Sequence, residues 1–146
     1  MFMGEYSHTI DVKGRLILPA KFREELGEIF IVTRGLDNCL SVYTRGEWEK
    51  FAQAMQQHTT AKGNVRAVKR FFFGSAVESE CDKQGRILIP ANLRDHAKLE
   101  KEVVVVGAAD RVEIWSRVVW DTYNNQISSE MENIAETLDD PIEFGM

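Results

Sequence analysis

The chain has 146 residues, with 18 Lys and Arg against 23 Asp and Glu for a formal charge of −5. That length ordinarily makes one domain, and no stretch approaches the roughly 20 apolar residues that a membrane-spanning helix requires. Residues 1–6 lack a basic flank followed by an apolar run, so no signal peptide is expected. Cys39 and Cys81 have no neighbouring His and no zinc-ligand spacing, which suits a reducing cytoplasm.

In chain order, residues 5–10 read as a strand that leads into Asp11, Val12, Lys13 and Gly14. Asp at the first place and Gly at the fourth suit a type I turn closing a bulged hairpin, because Asp bonds backbone two residues on and Gly tolerates positive φ. Arg15 then opens the returning strand at the hairpin rim. Pro19 ends it and suits a first helical turn, Phe22 and Leu26 give a short helix its apolar edge, and Gly27 is a natural C-cap. Strands are expected at about 29–33 and 40–43. Thr44 with Glu47 forms a capping box before a helix whose apolar stripe is Trp48, Phe51 and Met55. Residues 59–63 look like a connector, and 64–72 like a short helix with Arg66, Lys69 and Arg70 outward.

From there the pattern is written again. Residues 11–23 recur at 82–94 with six of thirteen positions identical: Asp82, Gly85, Arg86, Pro90, Ala91 and Arg94 repeat Asp11, Gly14, Arg15, Pro19, Ala20 and Arg23. With one extra residue assigned to the first copy, the match continues at an offset of 72, pairing Gly35 with Gly107, Val42 with Ile114, Tyr43 with Trp115, and Trp48 with Trp120. Strands are expected again at 76–81, 103–106 and 112–115, with a second short helix edged by Leu93 and Ala97. Ser116 is a candidate cap for one long amphipathic helix striped by Trp120, Tyr123, Ile127, Met131, Ile134 and Leu138. That stripe suits either the core or a neighbouring subunit.

The repeat divides the chain into residues 1–73, a second repeat over 74–118, and a helix with an acidic tail over 119–146. Halves of about 70 residues are marginal alone. Two halves sharing one pseudo-symmetric core are favoured over two separate beads, since runs such as Leu16, Ile17 and Leu18 or Val103–Val106 leave little polar face. The charge is split as well. Residues 1–73 net +3 and residues 74–146 net −8, and residues 121–146 hold seven acids and no Lys or Arg. Overall charge is therefore a poor guide to what the body binds.

Turn chemistry accounts for Asp and Gly but does not require Arg at the following position. Arg15 and Arg86 on two rigid hairpins, beside Lys13 and Lys83, are forked and point-like donors suited to phosphate or to guanine O6 and N7. Lys21, Arg23 and Arg94 on the short helices fit backbone phosphate contact and fit equally a solvated face or pairing with Glu24, Glu25 or Asp95. His8, His58 and His96 share no ligand spacing. Ser7, His8 and Asp11 do not make a hydrolytic set, since neighbours on a strand face opposite ways. No enzyme, metal site or cofactor is expected.

The doubled Asp-x-x-Gly-Arg turn, the Ile/Leu-Pro-Ala step, the start Met1-Phe-Met-Gly4 and residues 72–78 together resemble the MraZ family. The resemblance runs from residue 1 to the C-terminal helix. It implies an α+β, β-dominated fold of two fused AbrB-type (SpoVT-AbrB) swapped-hairpin barrel units. It also implies a cytoplasmic, nucleoid-associated repressor that binds double-stranded DNA at G-rich direct repeats before its own division and cell-wall operon, assembled as a ring-like homo-oligomer. By position, the family's Asp and Arg are Asp11 and Arg15, with Asp82 and Arg86. A structural or protein-binding oligomer without DNA specificity is the rival, and an antitoxin-type regulator a further one, disfavoured because a second unit stands where a toxin-binding tail would.

Overall fold

The computed structural model describes residues 1–138. Among these, eight strands and six helices form an α+β fold. In the first copy, β1 (Glu5–Thr9), β2 (Arg15–Ile17), α1 (Ala20–Leu26), β3 (Phe30–Arg34), β4 (Leu40–Thr44) and α2 (Arg45–Gln56) follow one another, and α3 (Gly63–Phe73) leads out. The second copy runs β5 (Val77–Ser79), β6 (Arg86–Leu88), α4 (Ala91–Ala97), β7 (Glu102–Gly107), β8 (Val112–Ser116), α5 (Arg117–Ser128) and α6 (Met131–Glu136).

The copies interleave. One antiparallel sheet has the order β1-β7-β8-β4-β3-β5, and β2 pairs with β6 in a separate two-stranded ribbon. Exchanging the copies reverses the sheet order onto itself, so the halves are related by a pseudo-two-fold axis. That axis passes through the β4–β8 pairing, where Leu40, Ser41 and Val42 face Ile114, Glu113 and Val112. In the ribbon it passes through Leu16 and Ile87, since Arg15 faces Leu88 and Ile17 faces Arg86.

The sheet is covered on both faces, which explains its unbroken apolar strands. On one side Phe30, Val32, Leu40, Val42, Val103, Val105, Val112 and Ile114 meet Leu16, Leu18, Ile87 and Ile89 from the ribbon, with Phe22, Leu26, Leu93 and Ala97 from the short helices. This core draws on both halves of the chain. On the other side Tyr43 packs with Trp48 and Phe51 of α2, Phe51 in turn meets Phe72 and Phe73 of α3, and Trp115 packs with Trp120 and Tyr123 of α5.

Several expectations need correction. The extra residue belongs to the second copy: residues 98–101 join α4 to β7, whereas residues 27–29 join α1 to β3. Lys98 takes the left-handed conformation at φ 56° in the cap position that Gly27 fills at φ 81°. Thr44 caps α2 by accepting from the Glu47 N–H, but the Ser116 side chain makes no cap bond to α5. The expected long helix breaks into α5 and α6 at Ser129 and Glu130. The Ser129 hydroxyl donates back to the Gln126 carbonyl, the kind of local bond by which Ser competes with a continuing helix. Arg66 and Arg70 are exposed on α3 as expected and Lys69 is half-buried; Arg66 also donates to the Thr60 and Ala61 carbonyls in the connector, and Lys69 to the His58 carbonyl. Of the acidic tail, Asp139, Asp140 and Glu143 lie outside the described residues.

Candidate nucleic-acid interface

Each hairpin turn is built from its Asp. The Asp11 Oδ1 accepts from the Lys13 and Arg15 backbone N–H groups at 3.0 and 2.8 Å, while the Gly14 N–H donates to the Asp11 carbonyl at 3.0 Å. Asp82 repeats this with Gln84 and Arg86, each at 2.9 Å. Gly14 and Gly85 sit at φ 88° and 79°, as the turn requires. With Oδ1 so engaged, Oδ2 is left to accept from the arginine side chain. Arg15 Nε donates to Asp11 Oδ2 at 2.6 Å and Arg86 Nε to Asp82 Oδ2 at 2.8 Å. The backbone N–H of Arg15 first, and then its guanidinium, hold the Asp11 carboxyl below the usual carboxylate range; Arg86 does the same to Asp82.

The Asp therefore both closes the turn and aims the arginine. The anchor uses the inner Nε–H alone. No Nη of Arg15 or Arg86 makes a hydrogen bond among the described residues, so the outer edge of each guanidinium, with four of its five donors, is unengaged. The sequence signal for this was the four-residue spacing from Asp to Arg across a tight turn.

The two turns are locked to each other. Beyond the ribbon's own pairs, the Ile89 N–H donates to the Gly14 carbonyl at 2.8 Å and the Leu18 N–H to the Gly85 carbonyl at 3.1 Å. The helix arginines then cross between copies. A Cβ on Gly14 would stand 3.0 Å from the Arg94 guanidinium carbon and 2.8 Å from the Ile89 carbonyl oxygen, and one on Gly85 would overlap the Arg23 guanidinium. Each turn is thus roofed by the arginine of the other half. Arg94 Nε is buried there without a hydrogen-bond partner among the described residues. Neither arginine pairs with Glu24, Glu25 or Asp95 among the described residues; Glu25 instead meets the N-terminal amine of Met1. Lys21 is exposed on α1.

Lys13 and Lys83 are both exposed but hold different places. Lys13 is the third turn residue, matched by Gln84, whereas Lys83 is the second, matched by Val12. The apolar run Leu16, Ile17 and Leu18, which leaves little polar face, is divided between two faces. In the ribbon, Leu16 and Ile87 are buried, but Ile17 and Leu88 are 45% and 62% exposed on the opposite face. By strand alternation and the pairing register, Arg15, Ile17, Arg86 and Leu88 share that outer face. The period-two alternation was a signal for this, hidden because all three residues are apolar.

Chemically, the ribbon offers two fixed, forked donors on an open two-stranded surface. The His96 Nε2–H donates to the Gly35 carbonyl at 3.0 Å and the ring packs against Phe71, a structural setting. Among the described residues no cluster of three or more His, Cys, Asp or Glu is placed to hold a metal, and no helix is long and apolar enough to cross a membrane.

Comparison with known proteins agrees with the duplication. The family model described as "MraZ protein", with a noted likeness to antitoxins, matches twice, over residues 1–71 and 72–141. A protein of a Thermoanaerobacter species is 58% identical over 140 residues, covering 96% of this chain and 98% of its own length. Relatives from Caldanaerobacter subterraneus and Desulforamulus reducens are 55% and 56% identical, covering 95% and 96% of this chain and 97% and 99% of their own. All three bear the name "Transcriptional regulator MraZ".

Proposed function

The chain belongs to the MraZ family, and on that premise we propose that it is a sequence-specific DNA-binding transcriptional regulator rather than an enzyme. The observation that carries this reading is the pair of Asp-held arginines on one antiparallel ribbon, each with its outer guanidinium edge unengaged. A two-stranded ribbon fits the major groove, and Arg there forms two parallel bonds to guanine O6 and N7. Holding Nε to the carboxylate fixes the plane of the fork before DNA arrives, which lowers the ordering cost of binding. Lys13 and Lys83 take flanking phosphates. Asp11 and Asp82 stay off the DNA, since a carboxylate facing phosphate is repelled.

In this reading the interleaved halves are a fused pair of swapped-hairpin barrel units, divided near residues 73–74, followed by the C-terminal helices α5 and α6 and an acidic tail. The DNA target is a set of G-rich direct repeats upstream of the chain's own gene, bound in the cytoplasm at the nucleoid by a ring-shaped homo-oligomer that represses its operon. The exposed Met131, Ile134 and Leu138 of the C-terminal segment favour self-association. Arg23 and Arg94 serve the turns they roof before any phosphate contact. A gel-shift with the DNA upstream of the gene tests the reading: specific retardation is expected, and affinity equal to that for scrambled DNA of the same composition overturns it.

A further inference from the structure

The outer face of the ribbon carries more than its arginines. Large apolar side chains are exposed at several loop and helix positions, but among the described residues Ile17 and Leu88 are the only exposed ones on a strand. They stand together. Ile17 lies directly across from Arg86, and Leu88 directly across from Arg15, so the apolar pair is interleaved with the charged pair on one face. Packing beneath does not account for them, because Leu16 and Ile87 fill the core from the opposite face.

A surface that met only phosphate would gain nothing from two branched apolar side chains at its centre. Base edges are different: the thymine C5 methyl is the apolar feature of the major groove, and apolar side chains are its partners. The dimensions agree. Residues two apart on a strand are separated by about 7 Å, close to two base-pair steps at about 3.4 Å each. An arginine set on a guanine therefore places the apolar residue of its own strand within about two base pairs of it.

We propose that Ile17 and Leu88 are specificity residues that read thymine methyl groups beside the guanines taken by Arg15 and Arg86. This rests on the ribbon being the DNA interface. Each Asp-held arginine then marks one pair and its apolar neighbour another, so one half-turn reads a short mixed element rather than a single guanine.

The test compares two duplexes of the DNA upstream of the gene, one with thymine and one with deoxyuridine throughout, which deletes only the methyl groups. Each duplex is titrated with the full chain and with the Ile17→Ser/Leu88→Ser variant, beside a scrambled duplex. Burying one methyl group corresponds to about a 4-fold affinity gain, so the native chain is expected to lose about 15-fold on the uracil duplex. The double variant should bind the thymine duplex about that much more weakly and no longer distinguish the two. Equal binding of both duplexes by the native chain, with both above scrambled DNA, overturns the proposal and leaves the arginine reading standing. If neither exceeds scrambled DNA, the DNA interface itself falls. A variant that still distinguishes thymine from uracil also overturns it, and a changed assembly mass in light scattering with that result assigns the face to a second copy. The native-chain comparison holds whether or not the variant folds.

Discussion

Replacing Arg15 and Arg86 isolates what the fork contributes. Loss of one bidentate guanine contact costs about 1–3 kcal/mol, or roughly 5- to 150-fold in affinity. Two features of the structure place the effect of Ala toward the upper end. The fork is held by Asp before binding, so little ordering cost is recovered by deleting it. Its removal also leaves Asp11 or Asp82 without the cationic partner that faces it, exposing a carboxylate near phosphate. The turn itself should survive, because Oδ1 still accepts its two backbone N–H groups. Arg15→Lys and Arg86→Lys separate the fork from the charge: specific affinity should fall nearly as far as with Ala, while salt-dependent binding to scrambled DNA is kept. Fluorescence anisotropy on the upstream duplex and a scrambled control reads both quantities. Unchanged specific affinity in the Arg15→Ala/Arg86→Ala chain, with native circular dichroism, refutes the assignment.

Three other outcomes follow from the same geometry. Gly14→Val and Gly85→Val force a β-branched residue into positive φ and drive its Cβ into Arg94 or Arg23, so the melting midpoint should drop by an amount corresponding to at least about 1–3 kcal/mol; an unshifted midpoint for both is incompatible with the turn described. Because the Asp11 and Asp82 carboxyls are held below their ordinary value, their contribution is complete above about pH 4 and is lost as pH falls through the depressed value. The melting midpoint should thus fall below about pH 4, and less steeply in Asp11→Asn/Asp82→Asn; equal slopes count against it. If several subunits bind in phase, deleting one of two direct repeats, or shifting their spacing by about 5 bp, half a helical turn, should collapse binding, and equal affinity for one repeat and two rules out avidity.

What could be read from sequence divides by range. The turns were legible because Asp and Gly constrain backbone within four residues, and Gly14 and Gly85 take the positive φ those turns require, whereas Pro19 and Pro90 stand at the N-caps, one residue before the helical turns expected of them. Strands and short helices followed from apolar spacing and fell within about a residue or two of expectation. The long-range events left no local trace. Nothing near residue 23 announces that its guanidinium crosses to Gly85, and nothing near residue 16 announces pairing with Ile87. The break at Ser129 was missed because the apolar stripe continues through it at helical steps, while the competing bond is made by a hydroxyl the stripe does not include. At the candidate site, the doubled Asp, Gly and Arg could be read as turn and rim residues, but the Asp–Arg anchor and the exposed Ile17 and Leu88 required the ribbon's register.

Fusion of the two copies has a consequence that a homodimer does not share. Two identical hairpin units related by a true two-fold axis present identical tips, and their target is correspondingly palindromic. Here the scaffold keeps that symmetry: the sheet order reverses onto itself, and the ribbon pairs Leu16 with Ile87 at its centre. The surface does not. The second turn position is Val12 in one copy and Lys83 in the other, and the third is Lys13 and Gln84. Covalent duplication lets the exposed turn positions diverge while Asp and Gly stay matched, because the turn geometry requires them, and Arg is kept at both tips although the turn does not require it. The two tips therefore carry different flanking chemistry around a common arginine. An asymmetric element, set head to tail with others of its kind, is the target that such a surface fits. A selection from random duplexes should return a non-palindromic consensus with guanine at both arginine positions, and a perfect palindrome would contradict the division of labour between the two turns.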